Sequence, residues 1–248
     1  MRGDQGFPVR LRFTKRGKVR FVGHRDVARA FERAFRICEL PLAFTQGFSP
    51  RPKVSFGLAL SVGHESDAEY LDVELAEPVD LVPLPAALDA ALPEGIAVTG
   101  AVPLAERAPA LQEAVTAVEW ELEVTITADN LATGAVPVPF EVARLAAAAM
   151  AAPALPVLRT RKGRETEEDV RPALRRVEVL ETTEFGVLLG VEVSTQPVSV
   201  RPGELLAALS GALSERRVLR TRQWIERGGA RLEPLDADPR RAIEARAS

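Results

Sequence analysis

Residues 9–40 read VRLRFTKRGKVRFVGHRDVARAFERAFRICEL, and this stretch contains two different hydrophobic periods. In residues 9–15, Val, Leu and Phe alternate with Arg and Thr, which is typical of a half-buried β-strand. In residues 24–40, apolar side chains recur every three or four positions, which predicts an amphipathic helix. Between the strand and the helix, Gly17 is expected to make a turn that is followed by a short extended segment. The stretch therefore predicts a strand followed by a helix that packs on it.

The same two periods alternate along the rest of the chain. In the first half they predict extended segments at 42–45 and 53–63, a strand at 68–78, a helix at 81–93 and a strand at 95–104. In the second half they predict a strand at 117–127, a helix at 140–152, three further strands, a helix at 202–215 and a closing strand at 216–226. The order is interpreted as β-α-β-β-α-β in each half. We therefore expect an α+β protein of two tandem ferredoxin-like units with antiparallel sheets.

The expected domain boundaries follow from these elements. They define a basic N-terminal ferredoxin-like unit at 1–105, a C-terminal ferredoxin-like unit at 116–227 and a flexible tail at 228–248, which is polar and lacks a sustained pattern. No apolar run reaches the roughly 18 residues that a membrane span needs, and the start of the chain lacks the apolar segment of a signal peptide. The protein is therefore expected to be cytoplasmic.

The net charge of −3 conceals a strong segregation of charge along the chain. Residues 1–53 contain thirteen Lys and Arg against four Asp and Glu, whereas residues 54–115 contain one against eleven. A basic segment of this kind favours a local positive surface that attracts polyanions. The alternative is that the basic and acidic segments face each other in the fold.

Four arginines of the predicted helix share one side, separate from its apolar side. They are Arg25, Arg29, Arg33 and Arg36, at positions i, i+4, i+8 and i+11. The planar guanidinium suits phosphate recognition better than the Lys ammonium does, so this spacing indicates an anion-binding stripe. An ordinary solvated face is the alternative interpretation.

The loop that follows the helix reads FTQGFSPRPKVSFG at residues 44–57. Its glycine can adopt a positive φ, and its two prolines restrict the residues before them to extended backbone. Such a loop would hold its cations at fixed positions and form the second wall of an anion site, although a rigid turn alone would also explain it. The predicted binding residues here are Gln46, Gly47, Arg51 and Lys53.

His24 lies at the start of the predicted helix, where it could be a structural residue, a phosphate ligand or a general acid/base. Cys38 falls on the apolar side of that helix and is expected to be buried. A single cysteine excludes an internal disulfide and a self-contained iron–sulfur cluster. The segment HESDAE at 64–69 has metal-ligand residue types without a recognisable spacing, so we expect a solvated turn and no metal site.

A second basic element occupies residues 159–176, where seven cations are interleaved with four acids. Its predicted binding residues are Arg161, Lys162, Arg164 and Arg171. The acidic residues in its middle make a self-paired loop as reasonable an expectation as a binding arm.

Two long segments resemble a known family. They are RLRFTKRGKVRFVGHRDVARAFERAFR and LPLAFTQGFSPRPKVSFGLALSVGHESDAEYLDVEL, within residues 10–75. They are similar to the bacterial radical-SAM-associated proteins of unknown function, which are fused to radical SAM enzymes or encoded beside them. The segment KGRETEEDVRP is similar to that family's second-half motif. Many relatives have Ser-His-Leu-Asp where this chain has Gly-His-Arg-Asp at 23–26, so the serine hydroxyl available there as a helix cap is absent.

The resemblance implies a radical SAM protein as the partner. An iron–sulfur cluster and S-adenosylmethionine would belong to that partner, and this chain would bind no cofactor of its own. Association of the family with ribosome and RNA-processing genes implies a substrate that is RNA or a ribosomal component.

Three functions remain open from the sequence. The first is a non-catalytic partner protein that binds a polyanion, RNA or a ribosomal component, through its basic N-terminal surface. The second is a metal-independent RNA-processing enzyme with His24 as general acid/base, similar at the level of fold to CRISPR repeat-processing endoribonucleases. The third is a protein-docking module that contacts no nucleic acid.

Overall fold

A computed structural model describes residues 6–104, 108–126, 138–161 and 163–237. The chain is mixed α+β, with mostly antiparallel strand pairing and few helices among these residues. It divides into two compact units. The first comprises Met1–Val115 and Trp224–Ser248, and the second comprises Thr116–Gln223.

The first unit contains one sheet with helices in its connections. Its elements in chain order are β1 (Phe7–Lys15), a 3-10 turn (Gly17–Phe21), α1 (His24–Ile37), β2 (Val54–Phe56), β3 (Glu65–Leu75), α2 (Leu84–Ala91), β4 (Ile96–Pro103) and the short α3 (Leu111–Ala114). Strand β1 pairs antiparallel with both β3 and β4, and β2 pairs antiparallel with β3. These four strands therefore lie in the order β4-β1-β3-β2.

The core of the first unit forms between the apolar residues of the strands, which recur at every second position, and the apolar side of α1. From Val9 to Lys15 every second residue of β1 is buried, and Arg10 is buried as well. Helix α1 buries the side that carries its apolar residues. Phe13 of β1 meets Phe31 of α1 edge-on, with ring centroids 4.8 Å apart. Edge-to-face packing of this kind stabilises the fold by about 0.5–1.5 kcal/mol, in addition to the stabilisation that comes from the buried area of each ring. The hydrophobic alternation thus determines which face of the sheet α1 covers.

Two segments of this unit differ from the sequence-based expectation. Residues 17–21 form a 3-10 turn and not an extended return. Strand β3 begins at Glu65, so the expected solvated turn at 64–69 is wrong, and His64 and Glu65 are buried. Burial of Glu65 is possible because its Oε1 accepts a hydrogen bond of 2.7 Å from the Gly17 backbone N–H. This bond ties the 3-10 turn to β3.

The second unit combines the strands of a main sheet, a separate two-stranded sheet and two helices. Its elements are β5 (Ala117–Ile126), α4 (Pro139–Ala151), β6 (Pro156–Arg161), β7 (Arg164–Asp169), a 3-10 turn (Arg171–Ala173), β8 (Leu174–Thr183), β9 (Gly186–Ser194), α5 (Pro202–Leu209) and β10, which starts at Leu213 and continues to Arg227. Strand β9 pairs antiparallel with β5 and β8, and β10 is the other neighbour of β5. Strands β6 and β7 form a separate two-stranded sheet.

Helix α5 is shorter than the sequence predicts. It ends at Leu209, and β10 begins four residues later, whereas the apolar spacing extends to residue 215. Ser210 has extended backbone, with φ −167° and ψ 132°, and it stops the helix. The polar run that follows pairs as a strand, because the sheet offers its backbone a continuous ladder of hydrogen bonds.

The segment expected to be a flexible tail is partly ordered, in the residues that the structure describes. Gly228 and Gly229 both have positive φ, and they allow a tight turn into β11 (Ala230–Leu232), which pairs with the end of β10. Beyond β11, the Pro234 carbonyl accepts a hydrogen bond of 3.3 Å from Arg10. Residues from both ends of the chain therefore meet in the first unit.

Candidate functional site

Helix α1 presents its four arginines to solvent, opposite the side that packs on the sheet. All four of Arg25, Arg29, Arg33 and Arg36 are exposed, whereas the apolar positions between them are buried. Consecutive members are one helical turn apart or nearly so, which places their guanidinium groups in one line along the helix. We call these four residues the arginine row.

The arginine row has little internal neutralisation. Arg29 pairs with Asp26 at 3.1 Å, and both side chains are largely exposed, so water screens this ion pair. Arg25, Arg33 and Arg36 form no ion pair with any residue that the structure describes. Like charges at i and i+4 destabilise a helix by about 0.2–0.5 kcal/mol per pair. The row is therefore present although it lowers the intrinsic stability of α1.

Other arginines of the same unit are neutralised by carboxylates. Arg10 is 3% exposed and makes a bidentate pair with Asp72, with N–O distances of 2.7 and 2.8 Å. Arg16 pairs with Asp67, and Arg12 pairs with Glu233 at 3.1 Å. Arg10, Arg12 and Arg16 lie on or directly after β1. Asp67 and Asp72 belong to its partner β3, whereas Glu233 follows β11. Many of the basic and acidic residues that are separated along the sequence are thus paired with each other in the first unit. The arginine row, by contrast, remains available to an external anion.

His24 begins α1 and is exposed beside a small recess of about 20 Å³. Its ring meets Phe56 edge-on, with centroids 5.1 Å apart. The preceding Gly23 provides no side-chain cap for the helix. The Asp26 and Val27 N–H groups donate to the Gly23 carbonyl, so the His24 and Arg25 N–H groups are the ones open to solvent or to an anion. The recess also contains Lys15 and Glu69.

Lys15 binds the backbone of the segment that leads into α1. Its Nζ donates hydrogen bonds of 3.2 Å to the Arg20 carbonyl and 2.9 Å to the Val22 carbonyl. Burial lowers the pKa of Lys15, and the nearby Glu69 carboxylate opposes that shift. These contacts make Lys15 a structural anchor for the 3-10 turn.

The loop after α1 is a closed, hydrogen-bonded hairpin. The Thr45 N–H donates to the Arg51 carbonyl at 2.8 Å, and the Arg51 N–H donates to Thr45 Oγ1 at 3.0 Å. Outside this pair, Phe44 and Pro52 form an isolated β-bridge. Gly47 has φ +134°, a conformation that a residue with a side chain rarely adopts. We call residues 45–51 the tip loop.

The predicted residues of the loop separate into two groups. Gln46, Gly47 and Arg51 are exposed in the tip loop. Lys53 instead pairs with Glu74 of β3 at 2.8 Å, so part of its charge is neutralised by the sheet. Phe48, which the sequence analysis did not select, is the most exposed large apolar residue described. A phenylalanine between a glycine and a proline-bounded serine was the available signal.

Part of the second basic element is paired within the described residues of the second unit. Arg159 pairs with Glu168 at 2.6 Å and with Glu204 at 2.9 Å. Arg171 donates to the Met150 carbonyl at 2.6 Å and to the Leu174 carbonyl at 2.9 Å, so it closes the end of α4. Arg164 is exposed on β7. Lys162 and the side chain of Arg161 lie outside the described residues.

Cys38 is half-buried at the end of α1 and packs against the core. Its Sγ lies 3.4 Å from the Ala87 carbonyl, as expected of a weak donor, and burial raises the pKa of the thiol. Within the described parts of the chain, no group of three or more His, Cys, Asp and Glu is placed to hold a metal ion. No helix in those parts is long and apolar enough to cross a membrane.

The fold and site define a mixed α+β protein with an exposed arginine row on its first helix. Residues 9–202 match the family described as uncharacterized protein conserved in bacteria, DUF2344. The chain belongs to this family. No curated protein matches the chain.

Three solved structures are similar to the chain at low sequence identity. They are the archaeal box H/ACA sRNP Nop10–Cbf5 complex (TM-score 0.45, 10% identity), an H/ACA RNP bound to a substrate RNA containing 2′-deoxyuridine (0.42, 12%) and a Cbf5–Nop10–Gar1 complex (0.41, 14%). In each comparison 88% of this chain is covered, together with 48%, 48% and 49% of the other chain, respectively. The chain thus spans about half the length of the chains that it resembles.

Proposed function

We propose that this chain is a non-catalytic protein that binds RNA through the arginine row and the tip loop, and that it serves a radical SAM partner. The observation that carries the proposal is the arginine row, in which three of four guanidinium groups lack an ion pair with any described residue. Exposed arginines in a line attract a polyanion, and each guanidinium can donate two parallel hydrogen bonds to the oxygens of one phosphate.

The geometry of the row suits a chain of phosphates. From Arg25 to Arg36 the helix rises about 16 Å, since each residue adds about 1.5 Å. That length exceeds the reach of one phosphate group and fits several consecutive phosphates of one strand. The open N–H groups at the start of α1, next to His24, add a further site for an oxyanion at one end of the row.

We also propose that residues 9–104 and 116–227 each form a ferredoxin-like fold. In the first unit the order β4-β1-β3-β2 supports this, because each β-α-β connection leaves room for one antiparallel strand between its two strands. In the second unit the order β10-β5-β9-β8 supports it in the same way, with the β6–β7 hairpin as an insertion. The iron–sulfur cluster and S-adenosylmethionine are proposed to belong to the partner.

The test is a fluorescence-anisotropy titration of the whole chain with a labelled single-stranded RNA at several salt concentrations. Each phosphate that is neutralised on a single strand contributes about 0.7 to the slope of log K against log salt. The variant with Arg25→Gln, Arg33→Gln and Arg36→Gln should therefore bind more weakly at low salt. Its slope should be shallower than that of the wild type by about 2.

Matched single variants separate the row from general charge. Arg33→Gln should reduce the slope by about 0.7, whereas Arg144→Gln, an exposed helical arginine of the second unit, should leave it unchanged. Wild-type protein that fails to bind at low salt, or a triple variant that binds as the wild type does, contradicts the proposal and favours a protein-docking face. RNA that is cleaved in EDTA by the wild type, and not by His24→Ala, would show an enzyme instead.

A further inference from the structure

Phe48 stands at the most exposed point of the tip loop. Its side chain is fully exposed, and it makes no ring contact or cation–π contact with any residue that the structure describes. Exposed single apolar residues are common on protein surfaces, but an aromatic ring at the apex of a braced loop is a more specific arrangement. Its two faces are open to a planar ligand.

The base of the tip loop is braced, so the ring is carried on an ordered support. The reciprocal hydrogen bonds between Thr45 and Arg51 close the loop, and the Lys53 N–H donates to the Ala43 carbonyl at 2.9 Å just outside it. Ala43 is in turn tied to β3, because its N–H donates to the Glu74 carbonyl at 2.8 Å. An anchored aromatic loses little conformational entropy when a ligand stacks on it.

The groups around Phe48 are hydrogen-bonding and basic. Gln46 and Ser49 have exposed side chains that form no hydrogen bond with described residues, and Arg51 forms no ion pair with them. An open aromatic face beside a cation and amide or hydroxyl groups is the combination that binds unpaired bases: the ring stacks on the base and the cation contacts the phosphate. A double helix hides the faces of its bases, so it cannot use such a ring.

We propose that Phe48 is a stacking platform for an unpaired base, so that the RNA bound by this chain is single-stranded at the tip loop. This inference rests on the proposed function, and it specifies the class of RNA and a residue outside the arginine row.

The experiment compares one 20-nucleotide RNA as a single strand and as a duplex with its complement, at low salt, with full-length variants. Phe48→Ala should weaken single-strand binding about tenfold, because stacking on an aromatic side chain is removed. It should change duplex binding less than about twofold. Phe48→Trp should retain single-strand affinity, and its tryptophan emission should be quenched by the stacked base. Phe140→Ala, which removes an exposed aromatic of the second unit, is the matched control and should bind both RNAs normally.

The outcomes separate the two proposals. Salt-dependent binding by the wild type with no effect of Phe48→Ala overturns the stacking role alone and favours a protein contact at the tip loop. Equal losses for single-stranded and duplex RNA also overturn it, since stacking would distinguish them. Failure of the wild type to bind either RNA at low salt overturns both the stacking role and the proposed function.

Discussion

Tyr70 of β3 buries a phenol hydroxyl that has no hydrogen-bond partner among the described residues. A buried, unpartnered polar group destabilises a fold by about 1–3 kcal/mol. Burial raises the pKa of Tyr70 above its usual value, while the nearby Arg12 guanidinium acts in the opposite direction. The phenol therefore stays neutral in the native protein at a pH at which it would ionise in the unfolded chain.

We expect Tyr70→Phe to increase the free energy of unfolding at pH 7 by about 1 kcal/mol, because it removes the unpartnered hydroxyl. The raised pKa gives a second expectation. Stability linked to the neutral phenol is fully present below about pH 10 and decreases as the pH rises above that, because only the unfolded chain then releases the proton. Urea unfolding between pH 7 and 11 should show this decrease in the wild type and a smaller one in the variant.

Tyr70 is the single tyrosine of the chain, so its ionisation can be followed directly. Absorbance at 295 nm should report phenolate only when alkaline unfolding begins. A native titration near pH 10, with the fold intact by circular dichroism, would contradict the burial that we describe.

At the scale of elements, two hydrogen bonds close the tip loop, and one of them depends on a side chain. Thr45 Oγ1 accepts the Arg51 N–H, and the backbone of the same pair supplies the second bond. Because the loop is exposed, water can replace Thr45 Oγ1 as the acceptor when this oxygen is removed. The global fold does not depend on this bond. Its removal should therefore loosen the loop locally.

Thr45→Val removes this acceptor while it nearly preserves side-chain shape. We expect hydrogen exchange at the Arg51 amide to accelerate by about tenfold, with little change in the thermal unfolding midpoint. Single-stranded RNA affinity should fall by less than in Phe48→Ala, since the ring remains. Thr45→Ser keeps the oxygen and is the control. An unchanged Arg51 exchange rate in Thr45→Val would show that the backbone bond alone closes the loop.

At the scale of the whole molecule, the first unit is closed by residues from both ends of the chain. Arg10 donates to the Pro234 carbonyl, and Arg12 pairs with Glu233. A side chain at Gly100 would collide with Leu235, as an added Cβ would lie 2.7 Å from its Cδ1. The segment 233–236 therefore covers part of the sheet that neither α1 nor α2 covers.

Truncation tests this closure. A chain that ends at Leu232 loses the Arg10 and Arg12 contacts and exposes the apolar surface under Leu235, so it should be about 2 kcal/mol less stable than a chain that ends at Ala237. Both truncated chains lack residues 238–248, so the comparison isolates residues 233–237. Chemical denaturation followed by tryptophan fluorescence, with Trp120→Phe in both chains so that Trp224 is the single reporter, measures the difference. Equal stability of the two chains would mean that the segment adds nothing to the first unit.

The local periods of the sequence were sufficient for several features of the first unit. Strand β1, helix α1 and the outward direction of the arginine row follow from spacings of two and of three to four residues, which act within a few residues of chain. The same reasoning placed the tip loop and recognised its need for Gly47. Phe48 was missed although its position between Gly47 and the proline-bounded Ser49 was a local signal, because hydrophobic period treats an apolar residue as a core residue.

The sequence by itself determined strand β1, helix α1 and the row of arginines, because hydrophobic period and helix geometry are local properties. Only the tertiary structure decided which charges are neutralised. Arg10 meets Asp72 and Pro234, 62 and 224 residues away, and Lys53 meets Glu74 across a strand pair. It also decided that His64 and Glu65 are buried and that residues 230–236 pack on the first unit. Such partners are brought together by sheet register and chain closure, which no short window of sequence contains.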